Sequence, residues 1–342
     1  MAVTSEPEVG AGDAARDQTT KPRRRRRAEL DTARERLGLY LITPTIVLLG
    51  LVIGYPVVRA IFMSFQKDPG LDKATGLFVN GGFAGLSNYK HWLLQQCGTV
   101  ACPPGTLGSQ FWPAVSTTIF FTVATVVIEL ILGMWMALVM NRAFKGRGLL
   151  RASVLVPWSI PTAVTAKLWF FIFAFQGIAN SLFHTHILWT GDKWSSRFAI
   201  VIADVWKTTP FIALLLLAGL QIIPAEVYEA AKVDGANAFQ RFTRVTLPLV
   251  KPALMVAVLF RTLDVLRIYD LPAILTGGGG GTGHATTTLS ILVVGQIRQG
   301  YNSAAALSTI TFLFIFLVAF VFVKVLGANV VKTQQTQQKG AR

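Results

Sequence analysis

Six stretches of this chain are long and apolar enough to cross a bilayer: 37–65, 111–141, 149–175, 198–222, 250–275 and 303–326. A hydrocarbon layer is crossed by ~20 mostly apolar helical residues, and lipid admits only structures that satisfy their own backbone hydrogen bonds. The first stretch carries no charge before Arg59. At 52% hydrophobic and 14% charged, the chain is too apolar for an ordinary soluble protein. The expected fold is therefore an all-α membrane protein with six transmembrane helices.

The net charge of +15 raises the question of nucleic acid, and the positions of the basic residues answer it. With six spans, twenty of them share one side of the membrane. They include the run Arg23 to Arg27, Arg142 to Arg151 after span two, Lys232, Arg241, Arg244 and Lys251. The other side holds Lys67, Lys73, Lys90, Lys193, Arg197 and Arg298. By the positive-inside rule both termini are cytoplasmic, and the arginine run is an orientation signal and a contact for anionic membrane lipid. No nucleic-acid partner is expected. Residues 1–36 read as a disordered basic cytoplasmic tail, 37–326 as the membrane domain and 327–342 as a C-terminal cytoplasmic tail. The polar stretch before span one is too long for the n-region of a signal peptide, so that span should remain as an anchor.

Between spans four and five, the loop at 223–248 reads as a helix-turn-helix outside the bilayer. Pro224 can open a helix, with Glu226 and Glu229 placing negative charge in its first turn. Gly235 can end it in the left-handed conformation, and Asp234 can cap the next helix. That second short helix is expected to run to about Thr246, where Pro248 is close behind. It carries Phe239, Phe242 and Val245 as an apolar stripe.

Ionisable residues at bilayer depth are costly, and span five holds Arg261, Asp264, Arg267 and Asp270, alternating in sign at spacing three. Two readings stay open: mutual neutralisation along one helix face, or a polar pathway whose carboxylates and guanidinium groups bond the hydroxyls of a solute. Glu129, Lys167, Asp204 and Lys207 are further polar groups between apolar neighbours. Lys207 falls near mid-membrane and needs a partner, for which Glu129, Asp204 or a second subunit are the candidates. Pro44, Pro56, Pro157, Pro161, Pro210 and Pro272 permit kinks in the spans. Gly50 and Gly54 form a GxxxG pair read as local helix packing. Cys97 and Cys102 lie in an outward loop where a disulfide is geometrically possible, and no metal site is expected.

The string Tyr228-Glu229-Ala230-Ala231-Lys232-Val233-Asp234-Gly235-Ala236, with Phe239, Phe242, Leu247-Pro248 and Pro252, resembles the coupling loop of permease subunits from ATP-driven importers. Three further segments resemble the maltose-type branch of binding-protein-dependent sugar importers, with their MetI-like membrane domain. They are Phe83 to Tyr89, Pro157-Trp158-Ser159-Ile160-Pro161, and Leu275-Thr276-Gly277-Gly278 with Ala285-Thr286-Thr287-Thr288-Leu289. The likeness covers about 37–326 and is strongest to the first permease of mycobacterial-type trehalose importers. It implies trehalose or a related disaccharide as cargo, with glycerol-3-phosphate as an alternative. It also implies a heterodimer with a second homologous permease, two ATPase subunits that bind ATP and Mg, and an external sugar-binding lipoprotein. The resemblance assigns Glu229, Ala230, Ala231, Asp234, Gly235 and Ala236 to ATPase docking. Arg261, Asp264, Arg267, Asp270, Glu129 and Lys207 are the candidates for the translocation path.

No cofactor is expected in this chain itself. A P-loop needs Gly-Lys followed by Ser or Thr, and the sequence has no Gly-Lys dipeptide. The four histidines fall in outer loops, which argues against a membrane enzyme. A proton-coupled carrier using Glu129, Asp264 and Asp270 would leave the docking loop without a job.

Overall fold

A computed structural model describes residues 36–71, 76–79, 81–280 and 284–340. The basic tail read at 1–36 therefore lies outside the described residues except for Arg36. The chain divides at Ala60 into two units. Up to that point the described residues belong to the first span, helix α1 (Arg36–Ser64). Its GxxxG pair brackets a π turn, Gly50–Gly54, in which the Tyr55 N–H reaches the Gly50 carbonyl. Pro56 is the next residue. A proline ring clashes with the carbonyl four residues back, and a widened turn makes room for it.

The second unit holds helices α2 (Ser87–Leu93), α3 (Phe111–Asn141), α4 (Arg147–Ser159), α5 (Thr162–Ile172), α6 (Ile178–Phe183) and α7 (Lys193–Gln221). After these come α8 (Ala225–Val233), α9 (Ala238–Val265), α10 (Asp270–Leu275), α11 (Leu289–Ile297) and α12 (Tyr301–Gly340). Two short antiparallel hairpins, β1 (Gly70–Leu71) with β2 (Phe78–Val79) and β3 (Gln96–Cys97) with β4 (Val100–Ala101), decorate one end. A disulfide joins Cys97 to Cys102 across the second. We call this the disulfide end, and the end carrying α8 the loop end.

Among the described residues, five helices are long and apolar enough to cross a membrane, six if α4 and α5 count as one broken span. The expectation of a continuous third span does not hold, because α4 and α5 meet at 90°. The cause is Pro161, which forces Ile160 into an extended conformation (φ −73°, ψ 131°) and starts α5 as a new helix. The fifth span also stops short of Leu275. Helix α9 ends at Val265, and α10 begins only at Asp270. The last helix runs on to Gly340, through most of the segment read as a tail.

Helices α3 and α7 form the centre. Met134, Ala137 and Met140 pack on Ile212, Ala213, Leu216 and Leu220. Gly133 permits the approach, since a Cβ there would stand 2.7 Å from Ile212 Cγ2. Gly219 does the same where α7 crosses α9 at Ala253. Thr118, Thr122 and Thr125 satisfy their hydroxyls on carbonyls one turn back in α3. At the disulfide end, buried Trp92 donates to the Ser303 carbonyl at 3.0 Å. Asp68 caps α12 by accepting from the Asn302 and Ser303 N–H groups at 2.5 and 3.1 Å. Asn88, in a string that carried the family resemblance, donates to the Ser64 and Gln66 carbonyls.

Candidate translocation path and coupling loop

Three helices bring charge to one point in the bundle. Glu129 comes from α3, Asp204 from α7, and Arg261 with Asp264, one turn apart, from α9. The Arg261 guanidinium grips Glu129 as a fork, Nε to Oε2 at 2.6 Å and Nη2 to Oε1 at 2.9 Å. Its Nη2 also donates to Asp204 Oδ2, and its Nη1 to Asp264 Oδ2 at 2.6 Å. Arg261 and Glu129 are almost fully buried, 3% and 0% exposed, while the Asp264 side chain is 58% exposed. Arginine suits this position because it stays charged and offers five donors in a rigid plane. One cation thus faces three carboxylates.

Thr208 adds a hydroxyl 2.5 Å from Glu129 Oε1 and 2.6 Å from the Asp204 carbonyl, so its single proton has two acceptors to choose from. Within this chain Lys207 pairs with neither Glu129 nor Asp204. Its Nζ donates to the Ile160 carbonyl at 2.5 Å, in the break between α4 and α5. A proline-broken helix leaves carbonyls without intrahelical donors, and in the apolar interior the ammonium fills that need.

The alternating series at spacing three is split, contrary to the picture of one helix face. Arg261 and Asp264 pair on α9, but Arg267 lies past its end and Asp270 opens α10. All four nevertheless meet one cavity of about 200 Å³, whose walls include Asp204, Lys207 and Thr162. Glu129 is sealed behind that wall. A second cavity of about 250 Å³ shares Thr208, Arg261, Asp264 and Arg267 with the first. Its other side is aromatic, with Phe260 and the stacked rings of Trp158 and Phe211, 5.9 Å apart. The sequence reading missed Thr162, Thr208 and Tyr269 as lining residues. Threonine and tyrosine in a span carry no charge signal, and only the packing shows where they face.

At the loop end, α8 starts after Pro224, with Glu226 in its first turn and Glu229 one turn further on. Gly235 adopts φ +76°, the left-handed state that glycine enters without steric cost. Ala236 N–H returns to the Ala231 carbonyl at 3.0 Å, closing the helix end. The cap of the next helix is Asn237 and not Asp234. Asn237 Oδ1 accepts from Gln240 N–H at 2.8 Å, and Gln240 Oε1 accepts from Asn237 N–H at 2.9 Å, a reciprocal capping box.

The expected stop at Thr246 does not occur. A π turn, Phe242–Thr246, leads unbroken into the membrane part of α9, with Leu247 N–H on the Phe242 carbonyl just ahead of Pro248. Within the loop, Tyr228 meets Thr246 and Arg241 donates to the Ala236 carbonyl. Glu229, Ala230, Asp234 and Gly235 are exposed, and Ala231 and Ala236 half-buried. Phe239 is 73% exposed, whereas Phe242 turns inward against the α3–α7 core.

A family model described as binding-protein-dependent transport system inner membrane component matches residues 129–332, well over half of the chain. Among curated relatives, the trehalose/maltose transport system permease protein MalF of Thermococcus litoralis is 40% identical over 296 residues, covering 85% of this chain and 93% of its own. The trehalose transport system permease protein SugA of Mycobacterium tuberculosis is 38% identical over 301 residues, covering 86% and 90%. The sulfoquinovosyl glycerol transport system permease protein SmoG of Agrobacterium fabrum is 36% identical, covering 81% and 86%. Among solved structures, a chain of a bacterial ABC transporter that imports alginate superposes with a TM-score of 0.67 at 22% identity, covering 90% of this chain and 99% of that one. With its broken third span, its loop between the α7 and α9 spans and these relatives over most of its length, the chain belongs to the binding-protein-dependent transport system inner membrane components, as a non-catalytic multi-pass permease subunit.

Proposed function

We propose that this subunit conducts a neutral disaccharide, trehalose or a close relative, in an ATP-driven importer. The carrying observation is the polar cavity beside Arg261. It presents Asp264, Arg267, Asp270 and Lys207 to a passing solute and has an aromatic-sided chamber next to it. Charges of both signs suit hydroxyls, which donate and accept, better than they suit an anion. Identities of 40% and 38% to permeases named for trehalose support the same cargo.

The exposed α8, tied back through Tyr228 and the turn at Gly235, supports the docking role for Glu229, Ala230, Ala231, Asp234, Gly235 and Ala236. One of two ATPase subunits, each holding ATP and Mg, would seat on it. A second permease would complete the path, and an external sugar-binding lipoprotein would deliver the cargo. The distribution of basic residues supports a cytoplasmic loop end and cytoplasmic termini.

The test is ATP-dependent uptake of radiolabelled trehalose by proteoliposomes containing the chain and its partner subunits, with maltose and glycerol-3-phosphate as unlabelled competitors. Inhibition by excess trehalose alone is the expected result. Uptake that stops with an uncoupler while ATP stays high would overturn the mechanism in favour of proton coupling. Inhibition by glycerol-3-phosphate alone would overturn the cargo.

A further inference from the structure

Beyond the charged chamber, toward the disulfide end, lies a third cavity of about 380 Å³. It is within the range of small-molecule sites, about 300–1,000 Å³. One residue belongs to both this cavity and the charged chamber: Tyr269. It occupies the break between α9 and α10, with φ −133° and ψ −61°. The backbone on either side is tied down. The Ile268 carbonyl accepts from Thr288 Oγ1 at 2.9 Å, and the Tyr269 carbonyl accepts from Ala273 N–H at 3.0 Å. The side chain, about one third exposed, lines both cavities.

The walls of the third cavity are amphipathic. Leu107, Ile291 and Leu292 supply apolar surface, and His284 and Arg298 supply polar groups. Its glycine-rich rim is fixed by hydrogen bonds from Thr287 Oγ1 to the Gly278 carbonyl and from Gly280 N–H to the Thr276 carbonyl. A pyranose has the matching character: C–H faces that lie against apolar or aromatic surface, and a hydroxyl edge that takes charged and imidazole partners.

We propose that this cavity is a loading site for a neutral sugar and that the Tyr269 ring is the door between it and the charged chamber. The assignment of a sugar rests on the proposed importer function. The door itself rests on the shared wall.

The test uses the assembled complex in proteoliposomes. The two cysteines of this chain are joined to each other and provide no thiol background. A reporter Thr162→Cys places a thiol in the charged chamber, and Gly279→Cys places one in the loading site, where an added Cβ meets nothing within 4 Å. A membrane-impermeant maleimide is added from the disulfide end. Labelling of Thr162→Cys should be slow with Tyr269 or Tyr269→Phe, faster with Tyr269→Leu, and at least tenfold faster with Tyr269→Ala. Trehalose in excess should slow labelling of Gly279→Cys at least threefold, and an equal concentration of a non-sugar osmolyte should not.

Rates at Thr162→Cys that ignore the size of residue 269 would overturn the door. The leucine variant carries this result if the alanine variant fails to assemble. Labelling of Gly279→Cys that is indifferent to sugar would overturn the loading site. Neither readout needs transport, so failed trehalose uptake with both labelling patterns intact would remove the proposed cargo and leave the door standing.

Discussion

Replacing Arg261 with methionine should be the most damaging single change in the membrane domain. Methionine fills much of the same volume but leaves Glu129, 0% exposed, and Asp204, 5% exposed, as buried carboxylates without their cation. Removing one partner from a buried ion pair costs about 3–5 kcal/mol, because the remaining charge is uncompensated. The Asp264 pair adds little, since an exposed pair is worth about 0–1 kcal/mol. Set against a total stability of about 5–15 kcal/mol, the loss is a large share, on the order of 10 °C in melting temperature. The assay is a fluorescence-detected melt of the detergent-purified complex. The triple variant Arg261→Met with Glu129→Gln and Asp204→Asn removes the stranded charges and should recover more than half of the loss. An Arg261→Met complex that melts within about 2 °C of the wild type would refute the reasoning. A triple variant as unstable as the single one would show that packing, and not charge, holds the point together.

Three further changes separate local from functional effects. Gly235→Val forces a β-branched residue into φ +76°, a strain of about 1–2 kcal/mol, and should abolish sugar uptake while the binding protein still binds its sugar; Gly235→Asn should retain much of the uptake. Asp68→Ala removes both acceptors from the start of α12 and should lower stability by about 0.5–2 kcal/mol in a thermal melt, with Asp68→Asn, which keeps one acceptor, falling between alanine and wild type. Lys207→Met strands the Ile160 carbonyl at a cost of about 1–3 kcal/mol, and hydrogen exchange around residues 157–165 should speed up roughly tenfold while α12 is unchanged.

The spans were legible because hydropathy is a sum over some twenty residues and tolerates local error. The points where they break were less so. Pro161 announces an interruption, but its 90° angle depends on what the freed Ile160 carbonyl finds, and the donor is Lys207, 47 residues later in the chain. The end of α9 at Val265 has only a displaced signal: Leu266 and Ile268 read as more membrane helix, and Pro272, which cannot donate to the Ile268 carbonyl, marks the break seven residues late. Tertiary bonding ends it, with Thr288 capturing the Ile268 carbonyl. In the loop, Asp234 and Asn237 are both good capping residues, and Gln240 at the third position makes Asn237 the better one. Charge identity was readable and charge pairing was not. Arg261 could be seen opposite Asp264, but its fork onto Glu129 joins residues 132 positions apart.

The missed continuity of α9 bears directly on how such a subunit could work. A second loop helix ending at Thr246 would have been a separate body, coupled to the membrane through a flexible joint at Pro248. Instead the π turn absorbs the proline, and one helix runs from Ala238 beside the Gly235 turn to Arg261, about 35 Å at 1.5 Å per residue. At its far end Arg261 is held by Glu129 of α3 and Asp204 of α7. A displacement imposed on the loop end therefore reaches the point where three helices are pinned, next to the cavity lined by Asp264 and Lys207. In the proposed importer, α9 is a lever and the Arg261 cluster its load. Packed, pinned elements shift between discrete arrangements instead of deforming continuously. Arg261 then has two effects that separate by experiment: the triple variant that restores stability should still uncouple ATP hydrolysis from sugar uptake, because its neutral side chains no longer tie α9 to α3 and α7.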